Sequence, residues 1–477
     1  MEAQVGSSRM DGTISKKTLV IGLGRSGLEV CRASTSAKVV ATDIKPASAF
    51  DCNVLEELQQ RGVRLVLGSH DVGNVDDFDE IVVSPGVPMD NPLVREATAR
   101  GIEVISELEW AWRRVSIPII AITGTNGKTT TTELTGKLFQ EAGYRVFVGG
   151  NIGTPLSSIV KRGEEFDLAV LEVSSFQLDT SPTFAADTAV VLNISEDHLD
   201  RYENFEEYAR SKISLIGKAR RKKPNVPVVI NGDDPVIWRY IKIDDHAWRW
   251  TCQPHKNAQA RVGDCEIVVN IGDGKQWHFK FGAPWIFGRH NLENIAAAAL
   301  VAAIWKLPED VLQRVFWNFR PGKHRIEWIG RWNGVNFYND SKATNVSAVL
   351  RAIECFQCGK IWLLLGGKDK GGDYGPLARA VLKKCAGAVC FGEAGARIYE
   401  VIRQEMDKHM VFIRDRCPYV IKKTKMEDAF FEAVSHATPG DVVLLSPACS
   451  SFDQYTSYVE RGEHFRQLVD ELIRSKK

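Results

Sequence analysis

The chain is predicted to be an α/β protein with three domains, and three observations lead to this expectation. Its 477 residues, at roughly 150 residues per domain, are enough for about three independent cores. Apolar runs alternate with amphipathic stretches from end to end, which is typical of parallel strands covered by helices. Glycines, hydroxyl groups and charges follow many of the apolar runs, and open α/β sheets bind their ligands at these strand ends.

The composition narrows the class of protein. Apolar residues make up 44% of the chain and charged residues 25%, as in soluble globular proteins. The 61 basic and 60 acidic residues leave a formal charge of +1, so no net field attracts nucleic acid or anionic lipid. The longest apolar stretch with helical character, 295–305, is well short of the roughly 20 residues that a membrane span needs. We therefore expect a soluble enzyme with no nucleic-acid partner and no membrane span.

The N-terminus and the cysteines bear on location. Residues 1–16 are polar and lack the apolar core of a secretory signal, so we expect a disordered extension there. The ten cysteines are scattered along the chain, which favours reduced thiols and a cytoplasmic protein. Cys355, Cys358, Cys385 and Cys390 form two close pairs. Because the second pair is spaced too widely for a zinc knuckle, buried free thiols are favoured and a structural zinc site is the alternative.

The apolar patterns place the elements and the domain boundaries. Strands are predicted at 18–22, 38–42, 80–83, 117–122, 168–173, 188–194, 226–230, 360–365, 388–391 and 441–445. Helices are predicted at 129–142, 292–305, 377–385 and 458–474. The alternating tract 265–281, with a turn at 272–274, predicts antiparallel strands or an insertion. Boundaries near Trp110 and near 320–322, where proline and glycine break the pattern, give domains at 17–110, 111–320 and 321–477.

A phosphate-binding loop is predicted at 124–129, where Gly-Thr-Asn-Gly-Lys-Thr follows the strand 117–122. Glycines let backbone N–H groups turn toward phosphate oxygens, and the N-terminus of the next helix adds positive potential. Lys128 would reach the β- and γ-phosphates, and the Thr129 hydroxyl would bind Mg²⁺. Ile122 stands where the general pattern has its first glycine, but the motif has the strand and the helix that it needs on either side. We therefore predict a nucleoside triphosphate site.

Two residues at other strand ends are candidate metal ligands. Glu172 lies at the end of the strand 168–173 and supplies the oxygen atoms that Mg²⁺ prefers. His198 follows the strand 188–194, two strands from the phosphate loop, where a histidine can take part in the same site.

The first domain contains a dinucleotide-type fingerprint. Gly22, Gly24 and Gly27 follow the first strand at the G-x-G-x-x-G spacing, and Asp43 closes the next strand. The fingerprint alone indicates a nucleotide or phosphate. A nicotinamide-dependent oxidoreductase built on this loop is a rival interpretation, but it leaves the phosphate loop and the segment 340–345 without a function.

Beyond these features, the chain resembles the Mur ligase family. The motifs that carry the resemblance lie at 123–129, 151–153, 172–177, 197–200, 288–291, 324–325, 340–345 and 446–454, so it extends from about Lys17 to the C-terminus. Three segments resemble the branch of the family that adds D-glutamate: 84–88 (SPGVP), 340–345 (DSKATN) and 446–454 (SPACSSFDQ). The resemblance implies a Rossmann-like N-terminal domain for a UDP-sugar (17–110), a P-loop-type central ATPase domain (111–320) and a Rossmann-like C-terminal domain for the amino acid (321–477).

The family resemblance also implies a reaction. ATP would phosphorylate the carboxylate of UDP-N-acetylmuramoyl-L-alanine, and D-glutamate would attack the resulting acyl phosphate, in cytoplasmic peptidoglycan precursor synthesis. Positioning and charge neutralisation would do most of the work, because phosphoryl transfer needs little covalent chemistry from the protein. Three domains around one site imply closure by rotation of the C-terminal domain.

The resemblance assigns a role to each matching residue. The catalytic residues would be Lys128, Glu172, His198, Lys212 and Lys342. The ATP-binding residues would be Gly124, Asn126, Gly127, Lys128, Thr129, Thr130, Asn294, Arg325 and Asp340. The UDP-sugar would be bound by Arg25, Ser26, Asp43, Gly86, Asn151 and Ser174, although Ile44 and Lys45 depart from the expected uracil-binding residues. D-Glutamate would be bound by Thr344, Lys370, Ser451 and Phe452, since its two carboxylates need a cation and hydroxyl or backbone donors.

Magnesium is expected at two sites, with Thr129, Glu172, His198 and Lys212 as metal-side residues. Lys212 occupies the position of the family's carbamylated lysine. Addition of CO₂ would convert a cation that repels Mg²⁺ into a carboxylate that can orient it. An ordinary surface lysine is the alternative.

Two further alternatives concern function. Another Mur-type amide ligase, such as a folylpolyglutamate synthase, would share the fold, and fold alone does not fix the substrate. A non-catalytic nucleotide-binding scaffold would be expected to lack Lys128, Glu172 or Lys342, and all three are present. We expect the protein to be a monomer.

Overall fold

The computed structural model describes residues 16–34, 38–197, 201–241, 247–254, 257–272, 274–281, 288–319, 322–409 and 417–475. These residues form three separate sheets, each with helices packed against it. The α/β class and the arrangement in three successive units confirm the predicted fold class. None of the helices in the described part of the chain is both long enough and apolar enough to cross a membrane.

The N-terminal sheet is parallel and has five strands. Its strands are β1 (Thr18–Ile21), β2 (Val39–Asp43), β3 (Arg64–Leu67), β4 (Glu80–Val83) and β5 (Glu103–Ser106), in the order β3-β2-β1-β4-β5. Its helices are α1 (Arg25–Ala33), α2 (Cys52–Gln60), α3 (Pro92–Ala99) and α4 (Glu107–Trp112). The order reverses between β1 and β4, and ligands of doubly wound sheets bind at such a point.

The helix α4 fastens the N-terminal sheet to the central one. Glu109 is fully buried and accepts hydrogen bonds from the backbone N–H groups of Thr183 and Phe184, at 3.2 and 2.8 Å. Ser106, which caps α4, donates its backbone N–H to the carbonyl of Thr180 at 2.7 Å. Because buried polar groups need such partners, these bonds hold the first sheet in a defined position beside the second.

The described part of the central sheet has nine strands. They are β6 (Ile119–Thr123), β7 (Val146–Gly150), β8 (Leu168–Glu172), β9 (Thr188–Val191), β10 (Val228–Asn231), β11 (Ala247–Thr251), β12 (Ala260–Val262), β13 (Glu266–Gly272) and β14 (Lys275–Lys280), in the order β14-β13-β12-β11-β10-β9-β6-β8-β7. Its helices are α5 (Lys128–Glu141), α6 (Ser175–Asp179), α7 (Phe205–Lys222), α8 (Pro235–Tyr240), α9 (Arg289–Ile304) and α10 (Glu309–Asn318). The antiparallel pair β13–β14 confirms the strands predicted in the tract 265–281.

The C-terminal sheet has six strands. They are β15 (Glu327–Trp332), β16 (Val335–Asn339), β17 (Ile361–Gly366), β18 (Cys385–Phe391), β19 (Tyr419–Lys422) and β20 (Val442–Ala448), in the order β15-β16-β20-β17-β18-β19. Only the edge strand β15 is antiparallel to its neighbour. The helices are α11 (Val346–Ile353), α12 (Gly375–Lys384), α13 (Gly395–His409), α14 (Met426–His436) and α15 (Tyr458–Arg474).

Several predicted boundaries differ from the observed ones by up to three residues, and at residue 385 the type of element differs as well. Residue 385 was predicted to end a helix, but α12 ends at Lys384 and Cys385 begins β18, where it pairs with Ile361. The backbone of Cys385 is extended, with φ −94° and ψ 148°. Its buried position in the parallel sheet outweighs the helical pattern of the residues before it.

The four cysteines considered for zinc are free thiols. Cys385 and Cys390 are buried in the sheet, whereas Cys355 is half-buried and Cys358 is exposed. Within the described ranges, no group of three or more His, Cys, Asp or Glu side chains is arranged to hold a metal ion. The two close pairs in sequence therefore do not form a cluster in space.

Candidate active site

The phosphate loop has the predicted conformation. It joins β6 to α5, and Gly127 has φ +84°, in the left-handed region that favours glycine. A Cβ atom at Gly127 would collide with the side-chain oxygen of Asn294, so the glycine permits close contact between loop and α9. The Lys128 ammonium folds back over the loop and donates to the carbonyls of Gly124 and Thr125, both at 2.9 Å. Burial lowers the pKa of Lys128.

A carboxylate with oxygen neighbours lies beside this loop. Glu172 ends β8, is 3% exposed, and accepts hydrogen bonds from the Thr129 hydroxyl at 2.7 Å and the Asn151 amide at 2.9 Å. Because β8 neighbours β6 in the sheet, both groups reach the same edge. Hard oxygen donors next to a phosphate loop fit Mg²⁺, which prefers carboxylate and hydroxyl ligands together with substrate phosphates.

Lys212 is not a surface residue. It lies on α7, is only 2% exposed, and its Nζ atom is 4.7 Å from the centre of the Tyr208 ring. Burial, and next the nearby Lys128 cation, hold the pKa of Lys212 well below its usual value. The side chain lines the same cavity as Glu172. His198, the other predicted metal-side residue, lies outside the described residues.

The C-terminal domain completes the site. A cavity of about 340 Å³ is bounded by the phosphate loop, by Glu172 and Lys212, and by residues from the beginning of the C-terminal domain. The predicted site residues that line it are Asn126, Gly127, Lys128, Thr129, Thr130, Asn151, Glu172, Ser174, Lys212, Asn294, Arg325, Asp340, Lys342, Thr344 and Lys370. Residues far apart in the chain thus meet in one cavity.

Asp340 and Lys342, which line the cavity from the C-terminal domain, have shifted pKa values. Burial lowers the pKa of Lys342 to about 8, and its Nζ atom lies 4.0 Å from the centre of the Tyr458 ring. Burial raises the pKa of the Asp340 carboxyl to about 7, although it accepts hydrogen bonds from the Ser446 hydroxyl and the Ile326 N–H. Shifted ionisable groups in one cavity are typical of active sites.

Two of the four predicted D-glutamate residues line the cavity and two do not. Thr344 and Lys370 line the cavity, and Lys370 donates to Asp197 at 3.2 Å. Ser451 is buried, and Phe452 is 68% exposed; neither lines the cavity. No residue of the loop after β20, 449–457, lines the cavity.

Two of the six predicted UDP-sugar residues line the cavity and four do not. Asn151 and Ser174 line the cavity, and Ser174 caps α6 with a reciprocal hydrogen bond to Gln177. Arg25, Ser26, Asp43 and Gly86 lie in the N-terminal domain and do not line it. Asp43 accepts the N–H of Leu23 at 2.8 Å, which closes the dinucleotide-type turn.

A second cavity lies between the N-terminal and central domains. It has a volume of about 480 Å³ and lies between the loop after β4, which includes Ser84 and Pro88, and the segment Phe176–Thr180 of the central domain. Phe176 lines both cavities. The two cavities therefore adjoin at Phe176.

Sequence reasoning missed several residues of the first cavity, namely Asp197, Tyr208, Asn291, Asn345 and Arg351. Asn291 lies three residues before Asn294, a spacing that places both on one face of a helix and could have identified it. Asp197, Asn291 and Asn345 stand inside motifs that were recognised. Tyr208 and Arg351 carry no local signal, because only the packing of α7 and α11 brings them to the cavity.

Comparison with known proteins agrees with this arrangement. Three family models match the chain: the Mur ligase MurD-like N-terminal domain at 16–106, the Mur ligase middle domain at 122–302, and the Mur ligase glutamate ligase domain at 324–449. The UDP-N-acetylmuramoylalanine–D-glutamate ligase of Geobacter metallireducens is 40% identical, over 96% of this chain and 98% of the relative. The enzyme of the same name from Desulfosudis oleivorans is 39% identical, over 96% and 97%.

Solved structures show the same fold at low sequence identity. The MurF ligase from Thermotoga maritima in complex with ADP is 16% identical, with a TM-score of 0.61 over 98% of this chain and 100% of the other. A pseudomurein peptide ligase type C from Methanothermus fervidus is 19% identical, with a TM-score of 0.60 over 96% and 100%. From the family models, the full-length relatives and the shared three-domain architecture, it follows that this chain belongs to the Mur ligase family.

Proposed function

We propose that the chain joins D-glutamate to UDP-N-acetylmuramoyl-L-alanine, with cleavage of ATP to ADP and phosphate. The observation that carries the proposal is the single cavity in which Lys128, Thr129 and Glu172 of the central domain face Lys342 and Lys370 of the C-terminal domain. A triphosphate site and a cationic amino-acid site must share one space if a phosphorylated carboxylate is to meet an amine. The full-length similarity to D-glutamate ligases supports the choice of substrates.

The first step transfers the γ-phosphoryl group. A carboxylate oxygen of the alanyl group bonds to the γ-phosphorus while the bond to the ADP oxygen breaks, which yields an acyl phosphate. Lys128 and Lys342 neutralise the negative charge on the phosphate oxygens, and such neutralisation supplies most of the catalysis in phosphoryl transfer. Because the pKa of Lys342 is about 8, this side chain is mostly a cation at neutral pH.

The second step forms the amide. The neutral amine of D-glutamate attacks the carbonyl carbon of the acyl phosphate and forms a tetrahedral intermediate. The intermediate collapses as the bond from carbon to the phosphate oxygen breaks, and the departing phosphate takes up the proton that the nitrogen loses. Lys370 and Thr344 bind a glutamate carboxylate, because a cation and a hydroxyl donor suit an anion in a partly buried cavity. Holding both reactants in one cavity makes the attack effectively intramolecular.

Thr129 and Glu172 would hold Mg²⁺, which supplies charge neutralisation at the ATP phosphates when it is bound. We also propose a second magnesium site near His198 and a carbamate on Lys212. The buried Lys212 amine has a lowered pKa and is therefore a nucleophile toward CO₂. Its nitrogen bonds to the carbon of CO₂ and releases one proton, which leaves a carboxylate beside Glu172.

The UDP-sugar extends from the first cavity toward the N-terminal domain. Asn151 and Ser174 bind the muramoyl end, and the dinucleotide-type loop with Arg25, Ser26 and Asp43 binds the nucleotide end. The second cavity, which adjoins the first at Phe176 and lies between the N-terminal and central domains, supports this path. We further propose a monomer that works in the cytoplasm, and sedimentation of the purified protein tests the monomer.

The test of the function is phosphate release from ATP with UDP-N-acetylmuramoyl-L-alanine and a panel of amino acids. We expect turnover with D-glutamate and none with L-alanine, L-glutamate or a diamino acid. Equal turnover with L-alanine, or turnover only with a folate substrate and glutamate, contradicts the proposal.

Lys128→Ala should abolish the activity. Lys137→Ala on the same helix, where Lys137 is exposed and paired with Glu141, is the matched control and should retain it.

A further inference from the structure

One amide side chain connects three segments that border the cavity. Asn345 caps α11, because its Oδ1 accepts the N–H of Ala348 at 2.9 Å. Its Nδ2 leaves the C-terminal domain and donates to Asp197 Oδ2 at 3.0 Å and to Asn126 Oδ1 at 3.4 Å. The side chain therefore joins the helix α11, the loop after β9 and the phosphate loop.

Asp197 extends this connection to the amino-acid side of the cavity. Its second oxygen, Oδ1, accepts a hydrogen bond from Lys370 Nζ at 3.2 Å, and the Asp197 side chain is only 8% exposed. Charge-assisted hydrogen bonds in a partly buried place are stronger and more directional than exposed ones. Lys370 is thus held by a residue of the central domain, and that residue is oriented by Asn345.

A second bond between the same segments lies next to the first. Asn126 of the phosphate loop donates its Nδ2 to the Ser347 hydroxyl, in the first turn of α11, at 3.4 Å. Thr344, which lines the cavity, immediately precedes Asn345. The four residues Asn126, Asp197, Asn345 and Lys370 are called the interdomain clasp below.

We propose that Asn345 is a positioning residue that sets Lys370 and Thr344 in register with the phosphate loop by bonding to Asp197. The assignment of Lys370 to the amino acid rests on the proposed function. With the clasp formed, the incoming carboxylate meets a lysine and a hydroxyl that already face the phosphorylated carboxylate. When the clasp is broken, the amino-acid site and the phosphate site are no longer held in a fixed position relative to each other, although each site remains intact.

The competing interpretation is that Asn345 only caps a helix, and one substitution separates the two roles. Asp is as good an N-cap as Asn and suits the positive end of a helix. Asn345→Asp therefore keeps the cap but removes the Nδ2 donor and sets a carboxylate opposite Asp197. Asn345→Ala removes both the cap and the clasp.

The matched control is Asn204→Asp. Asn204 caps α7 through its Oδ1, which accepts the N–H of Glu207 at 3.0 Å; it is exposed and does not line the cavity. The same chemical change is thus made at a cap without a clasp. A purely structural role predicts equal behaviour of Asn345→Asp and Asn204→Asp.

The kinetic measurement compares substrates. We expect Asn345→Asp to raise the KM for D-glutamate at least tenfold, with the Kd of a non-hydrolysable ATP analogue within twofold of the wild-type value. Asn204→Asp should leave both unchanged. A wild-type KM for D-glutamate in Asn345→Asp, with a defect only in Asn345→Ala, assigns the residue to capping and overturns the proposal. Equal losses for all three substrates also overturn it, because they indicate general destabilisation.

The radius of gyration from solution X-ray scattering tests the clasp in protein without substrate. Asn345→Asp should have a larger radius of gyration than the wild-type protein and Asn204→Asp, because the C-terminal domain is no longer held against the central one. An unchanged radius overturns the proposal. If the wild-type protein does not turn over D-glutamate at all, the proposed function fails, and the scattering alone then decides on the clasp.

Discussion

Replacing Lys212 with alanine tests the most specific chemistry proposed for the site. Lys212 is 2% exposed and lies in the cavity with Glu172 and Lys128. A carbamate there would be a buried anion placed to orient the metal and the phosphate oxygens. Removing one preorganised electrostatic group from an active site costs about 10²–10³ in kcat, or roughly 2.7–4 kcal/mol. We therefore expect Lys212→Ala to lose at least about a hundredfold in kcat.

The assay is phosphate release under saturating substrates, accompanied by titration with a non-hydrolysable ATP analogue. ATP binding should persist, because the phosphate loop does not depend on Lys212 for any hydrogen bond described above. Acetate or formate, which can enter the space left by the side chain, should restore part of the activity by supplying the missing carboxylate. A wild-type kcat in Lys212→Ala would refute the carbamate and the placement of this residue in the mechanism.

Lys218→Ala is the matched control for this experiment. Lys218 lies on the same helix, α7, and its ammonium donates to the carbonyls of Leu178 and Ser181 at 2.9 and 2.5 Å. It does not line the cavity. The control variant should lose some stability, because those carbonyls lose their donor, but it should keep its kcat. A comparable loss of kcat in both variants would assign the effect to damage of α7.

Three further predictions follow from the buried groups. Since the pKa of Lys342 is about 8, its cation is present below that pH and is lost above it, so activity should fall as the pH rises through 8. Lys342→Arg should keep its activity above pH 8, because the guanidinium stays charged. A parallel fall in the pH–rate profiles of both proteins contradicts this role. Burial raises the pKa of Glu107 to about 7, so the native state loses stability as the pH rises from the pKa of the unfolded chain toward 7. Glu107→Gln should therefore raise the melting temperature at pH 8, and the gain should shrink below pH 7. A gain that does not depend on pH would show that ionisation of Glu107 is not its cause. Trp110→Ala should lower the free energy of unfolding by about 3–5 kcal/mol, because it opens a cavity and leaves the Glu80 carboxylate without the indole donor. An unchanged urea midpoint would contradict this expectation.

The local geometry of the phosphate loop could be predicted from the sequence. The segment 124–129 forms the loop that its glycines predict, and Lys128 and Thr129 lie where the motif places them. A phosphate loop is predictable because it depends on a few adjacent residues between one strand and one helix. The strand that supplies Glu172 was also predicted, since its apolar run is continuous and buried on both faces.

Other elements were not predictable from local pattern. The prediction missed β3, β5 and β7, each of which lies at an edge of its sheet. It also missed β15 and β16, where a bulge between Trp328 and Gly330 interrupts the alternation. Phe452 was expected to bind the amino acid, yet it is 68% exposed. The direction of a side chain in a loop depends on backbone angles that neighbouring elements impose, and its residue type does not reveal them.

The sequence by itself determined the three-domain α/β class, the phosphate loop and the set of cationic residues that anionic substrates require. Only the tertiary structure decided which of these meet. It brings Lys342 and Lys370 to the phosphate loop, buries Lys212 so that its pKa falls, and leaves Ser451 and Phe452 out of the cavity. It also reveals the bonds of Asn345 to Asp197 and Asn126, which join residues more than a hundred positions apart. Periodicity and motifs report contacts within a turn or a strand, whereas a site between domains depends on how whole sheets pack, and no short segment encodes that.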